Sequence, residues 1–153
     1  GKNDLEKAEA HMKNIMEKID ALEKVGGGTD TYYLYSPSGW GLVGWPNSYV
    51  SVGAIYLSRM TPQQIDELES SYFPNKCKSN NWKRCLCICK INSLDGNELS
   101  QGCDSLGVCS EIKEELEVNN GEVINVNDLL DNNQQIEIKL ENSKLTIIPL
   151  ETK

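Results

Sequence analysis

At 153 residues and 17.1 kDa the chain has the length of one ordinary domain. Its formal net charge of −8 and pI near 4.7 argue against nucleic acid, which needs a basic footprint, and against adsorption to anionic lipid. Only 39% of the residues are hydrophobic, with one Phe against six Tyr and three Trp, so a thin core in need of covalent staples is expected.

The clearest periodicity comes first. Leu5, Ala8, Met12, Ile15, Ile19 and Leu22 recur at alternating spacings of three and four, and Met16 widens the stripe. That pattern predicts an amphipathic helix over residues 4–25, capped by Asp4 and stopped by Gly26-Gly27-Gly28. Three heptads are marginal for a free coiled coil, so the helix is expected to pack on the protein's own sheet. His11, the single histidine, lies near the edge of the stripe and suits a helix-face residue better than a metal ligand. No run approaches the roughly 18 apolar residues of a membrane span, and no signal peptide opens the chain. Gly1-Lys2 leads into the helix almost at once, as expected of the soluble part of an anchored protein.

After the glycines the period changes. Residues 31–35 and 40–45 are short, aromatic and β-prone, and Ser36-Pro37-Ser38-Gly39 between them predicts a β-hairpin. Residues 49–57 form another candidate strand, weakened by Gly53 and Ala54. Thr61-Pro62-Gln63-Gln64 announces a short helix near 61–71, with a capping box between Thr61 and Gln64 and with Ile65 and Leu68 inward. Strands are expected at 85–91 and 108–118 and a helical turn at 126–130. A closing hairpin pairs Ile136, Ile138 and Leu140 with Leu145, Ile147 and Leu150 across Asn142-Ser143.

The six cysteines, Cys77, Cys85, Cys87, Cys89, Cys103 and Cys109, lie in one third of the chain. Cys85-Leu86-Cys87-Ile88-Cys89 alternates strictly, which on a strand sends three thiols to one face and Leu86 and Ile88 to the other. Neighbours in that row have Cα atoms roughly 6.5 Å apart and parallel Cβ vectors, so bonds within the row are disfavoured. If all six pair, each of Cys85, Cys87 and Cys89 takes one of Cys77, Cys103 and Cys109. Fifteen connectivities become six, and a Cys103–Cys109 bond is forbidden. Structural disulfides are the leading reading. Zinc binding lacks the usual C-x-x-C knuckles. Thiol redox chemistry lacks C-x-x-C as well, although Lys76, Lys78, Lys83, Arg84 and Lys90 form a local basic cluster.

No catalytic residues stand out. With one histidine and an even, paired-looking set of cysteines, Ser-His-Asp and Cys-His arrangements have little to work with. Gly26-Gly27-Gly28 precedes a strand and is no phosphate cradle. Two candidate binding features remain, each beside a more usual alternative. Trp40, Trp45 and Tyr33 could form an aromatic platform for sugars, where hairpin aromatics more often join the core. Lys83 and Arg84 could form a basic docking edge, where such residues more often make the solvated flank of a strand pair.

The segments Pro37-Ser38-Gly39-Trp40-Gly41-Leu42-Val43, Pro74-Asn75-Lys76-Cys77, Cys85-Leu86-Cys87-Ile88-Cys89, Cys103-Asp104 and Gly107-Val108-Cys109 resemble archaeal membrane-anchored or pilin-like surface proteins. The resemblance covers roughly residues 4–112 and departs from the pattern over residues 48–72, which look inserted. It implies an ectodomain whose hydrophobic anchor precedes the amphipathic helix, and it brings no catalytic residues.

The expectation is one α+β domain over residues 1–153. A long N-terminal helix (4–25) packs on an antiparallel sheet, and the cysteine-containing β-rich body spans 29–153. The expected role is non-enzymatic, structural or interactive, on a cell surface or outside the cell. Its partners are other surface subunits or an extracellular ligand, with no cofactor, no metal and no nucleic acid. A carbohydrate- or protein-binding module on the Trp40/Trp45 hairpin is the first alternative, and a zinc or thiol-redox protein the second.

Overall fold

The protein is described by a computed structural model, which places residues 2–34, 39–46, 59–64, 72–94, 96–125 and 134–150. Helix α1 spans Lys2–Val25. Ala8, Met12, Ile15, Ile19 and Leu22 of the apolar stripe are buried, and Leu5 and Met16 pack at its margin. Asp4 is not the cap: the helix begins two residues earlier, and Asp4 sits in its first turn, at the positive end of the helix dipole. At the other end Gly27 N–H donates to Leu22 O (2.9 Å) and Gly26 N–H to Glu23 O (3.1 Å), the paired bonds of a Schellman stop. Gly26 takes φ +86° there. A Cβ on Gly27 would lie 2.9 Å from the Leu140 carbonyl oxygen, so only glycine lets the chain turn this close to a neighbouring strand.

Among the described residues the β-structure forms two four-stranded sheets, where one was expected. The first contains β1 (Gly28–Leu34) and the closing hairpin, β7 (Gln134–Glu141) and β8 (Lys144–Pro149). It also contains β5 (Glu115–Val118), and its order is β1-β7-β8-β5. The expected turn is present, with Asn142 and Ser143 both at positive φ (52° and 62°) between Glu141 and Lys144. The β5–β8 pair is parallel, an exception to the otherwise antiparallel pairing. The second sheet runs β4-β3-β2-β6, with β2 at Trp40–Trp45, β3 at Cys85–Lys90, β4 at Gly107–Glu111 and β6 at Ile124–Asn125.

Two sequence expectations fail here for physical reasons. β1 and β2 are not a hairpin, because they belong to different sheets. β1 alternates exposed and half-buried positions, which suits an edge, and pairs over its whole length with β7. All six residues of β2 are buried, which requires a central position, and it lies between β3 and β6. The predicted strand over 108–118 is also two strands. It breaks at Ile112–Glu114, where the chain crosses from the second sheet to the first and buries Ile112 in the main core.

α1 packs against β1 and β7 of one sheet and β3 and β4 of the other. The main core gathers the α1 stripe with Leu42, Leu86 and Ile88 of the second sheet and Ile136, Ile138, Leu145 and Ile147 of the first. The sheets approach at Gly44, where a Cβ would meet Val118 Cγ2 at 2.6 Å. The capping box is present, with Gln64 N–H donating to Thr61 Oγ1 (3.2 Å) and Thr61 N–H to Gln64 Oε1 (2.9 Å). Residues 62–64 are helical. The expected strand at 49–57, the helix beyond residue 64 with Ile65 and Leu68, and the turn at 126–130 lie outside the described residues.

Near the end of α1 the Glu23 carboxyl is pushed above its ordinary value of 4.5. Burial is the largest cause, followed by its hydrogen bond with the Glu114 carboxyl and the negative charges of Glu114 and Asp20. A raised carboxyl pKa favours the fold when the group is protonated, and that contribution is lost as pH rises through the folded value. Glu23→Gln should therefore raise the melting temperature slightly at about pH 7. Melting curves at about pH 4 should show the difference gone, and a gap that persists there would contradict the assignment.

Candidate functional site

β3 is the element that organises the site. Its alternation puts Leu86 and Ile88 into the main core and Cys85, Cys87 and Cys89 into a second core with Val43, Trp45, Phe73 and Leu99. Two helices cover that second face. The four-residue helix α2 (Asn75–Lys78), entered through Pro74, brings Cys77 over one end of the row. Helix α3 (Gly96–Ser105), which no sequence pattern announced, brings Cys103 over the other. Cys109 stands directly opposite Cys87 in the β3–β4 register.

The bonds are Cys77–Cys85, Cys87–Cys109 and Cys89–Cys103, with Cα atoms 6.4, 4.1 and 4.8 Å apart. This is one of the six connectivities that the strand geometry left open. No cysteine is free. The disulfides form a continuous layer: Cys77 Sγ lies 4.0 Å from Cys87 Sγ. The sulfurs of Cys77, Cys85 and Cys87, and those of Cys87, Cys89 and Cys103, fall within 4.8 Å of one another. Thiolates in such groups would suit a soft metal ion, but a sulfur committed to a disulfide is not a thiolate ligand.

The helices over this layer are tied to each other and to β4. The Asp104 carboxylate, at the end of α3, accepts the N–H groups of Asn75 (2.9 Å) and Lys76 (3.0 Å) at the start of α2. Lys76 Nζ donates to the Gly107 carbonyl oxygen at 2.6 Å. A Cβ on Gly107 would sit 2.5 Å from the Cys103 carbonyl oxygen, so glycine is what allows α3 to turn back tightly into β4.

A surface cavity of about 390 Å³ opens along the outer edge of β4, between the first turns of α1 and the loop after α2. Its walls include Glu9, Lys76, Asn80, Trp82, Val108 and Cys109. One charged group of each sign faces it, and Trp82 and Val108 give it an apolar side. A second cavity, of about 270 Å³, lies by Gly44 and β5, where Glu117 and Lys144 pair at 2.7 Å.

No family model, curated protein or solved structure matches this chain.

The binding features expected from sequence are placed differently. Trp40 and Trp45 are 1% and 0% exposed, so they form no platform. Trp40 fills the main core, and Trp45 fills the second beside Phe73, their ring centroids 6.5 Å apart. The reason is the position of β2: a strand between two others, covered on both faces, has no outward side for either ring. Lys83 is exposed, but Arg84 is half-buried and its Nη2 donates to the Lys113 carbonyl oxygen at 2.7 Å. Arg84 thus braces the crossing between β4 and β5, and the pair is not a free basic edge. His11 is half-buried, with its Nδ1 2.5 Å from the Tyr32 hydroxyl, and pins α1 to β1. The β4-edge cavity is not announced by the sequence. Lys76 belonged to the basic cluster, but nothing in the sequence brings α1, Trp82 and Cys109 together. The one usable signal was Pro74 followed by Lys78-Ser79-Asn80-Asn81, a stretch rich in turn formers.

Proposed function

We propose that this chain is a non-enzymatic domain outside the cytosol, with a structural or interaction role in a membrane-anchored or pilin-like cell-surface protein. The observation that carries this reading is the buried layer of three disulfides, compatible with an oxidising compartment, where such bonds persist. The acidic balance supports partners other than nucleic acid: surface subunits of the same kind, or an extracellular ligand. No helix among the described residues is long and apolar enough to cross a membrane. In this reading attachment falls to a segment outside residues 1–153, and α1 continues from it.

The test uses protein recovered from its native cells. Intact-mass measurement before and after reduction should show a gain of six hydrogens. A membrane-impermeant amine reagent applied to whole cells should label the protein. Recovery of the fully reduced protein from the cytosolic fraction, shielded from the reagent, would overturn the reading.

A further inference from the structure

Five of the six cysteines are fully enclosed, and Cys109 alone is half-buried, on the wall of the β4-edge cavity. We propose that the Cys87–Cys109 disulfide is a thiol–disulfide exchange site for small thiols, entered through that cavity, and that Cys87 passes the exchange into the rest of the sulfur layer. The inference is independent of the cell-surface reading.

In the first step an incoming thiolate attacks Cys109 Sγ. A sulfur–sulfur bond forms between the incoming thiol and Cys109, the Cys87–Cys109 bond breaks, and the electron pair leaves on Cys87 Sγ. One disulfide and one thiolate are consumed, and one disulfide and one thiolate are produced. The new thiolate lies inside the layer. Its sulfur is 4.0 Å from Cys77 Sγ and within 4.8 Å of those of Cys85, Cys89 and Cys103. Attack on Cys77 Sγ forms a Cys77–Cys87 bond and leaves the thiolate on Cys85, again with electrons balanced. The other two disulfides offer no comparable approach, because all four of their cysteines are 0% exposed.

The cavity also sets a preference among thiols. Lys76, held in place by its bond to Gly107 O, presents an ammonium group, and Glu9 presents a carboxylate from α1. Trp82 and Val108 provide an apolar wall for the carbon skeleton of the incoming molecule. Removing Glu9's charge should favour an anionic thiol, and removing Lys76's charge should disfavour it.

The test treats the folded, oxidised protein with glutathione, which is anionic, or cysteamine, which is cationic, at about pH 8, where a useful fraction of thiol is ionised. Acid quenching and peptide mapping then locate each bond over time. The first adduct is expected on Cys109, followed by a Cys77–Cys87 bond with Cys85 free. Glu9→Gln should raise the glutathione rate and Lys76→Gln should lower it, each by about two- to fivefold, with the opposite sense for cysteamine. If Lys76→Gln disturbs the fold, Glu9→Gln carries the charge comparison alone. A first adduct on any other cysteine overturns the proposal. So does loss of all three disulfides together at a rate that tracks unfolding. A Cys109 adduct that never rearranges overturns the relay.

Discussion

Replacing Cys89 and Cys103 together by alanine should lower stability by about 3 kcal/mol, the chain-entropy value for a closed loop of this length. For a chain this long that corresponds to a fall of about 6–12 °C in melting temperature. The bond fastens α3 to β3 of the second sheet and seals the second core, where Leu99 packs against the sulfur layer. Hydrogen exchange should show where the loss falls. Amides of α3 should exchange faster, while those of α1 and β7, which belong to the main core, stay protected. Uniform loss of protection would mean that the two cores open as one unit, contrary to this expectation. The same substitution at Cys77 and Cys85, whose sequence separation is 8 against 14, should cost less by a few tenths of a kcal/mol.

A second large effect is expected on the opposite side of β3. Ile15 is fully buried where α1 covers the two sheets, and Ile15→Ala should cost about 2–5 kcal/mol. The urea midpoint should fall without a large change in slope, because the cavity weakens the native packing but leaves the extent of the unfolding transition intact. Glu17, on the exposed face of the same helix, is the control: Glu17→Ala should change stability by less than about 0.5 kcal/mol. If the two substitutions cost the same, α1 does not use the stripe to pack.

Local patterns were legible where one element's own chemistry decides its place. The stripe of α1, its glycine stop, the Asn142-Ser143 turn and the three-and-two division of residues 85–89 all depend on spacing within a few residues. What was not legible depends on partners distant in the chain. β1 and β2 have adjacent sequences and turn formers between them, yet the half-exposed strand goes to an edge and the fully apolar one to a centre. Nothing in residues 108–118 marks the crossing at Ile112, because both sides remain β-prone. An exposed surface of Trp40 and Trp45 requires β2 to be half of a two-stranded hairpin, whereas β2 lies between β3 and β6 with both rings buried. The β4-edge cavity draws on α1, the loop after α2 and β4, so no window of sequence contains it.

The distribution of bonds along the chain has a consequence for the order of assembly during synthesis. Every disulfide closes between residues 77 and 109, within separations of 8, 14 and 22. β1, in contrast, waits for β7, whose residues lie roughly a hundred positions further on, as in the pairing of Gly28 with Leu140. A ribosome delivers the chain from its N-terminus, so the sulfur layer can be complete before the closing hairpin has emerged. Until then the apolar stripe of α1 has only the second sheet to pack on, and the inward face of β1 has no β7 beside it. A nascent chain released before residue 134 would be chemically finished and physically open, its covalent bonds made and its larger core exposed to aggregation.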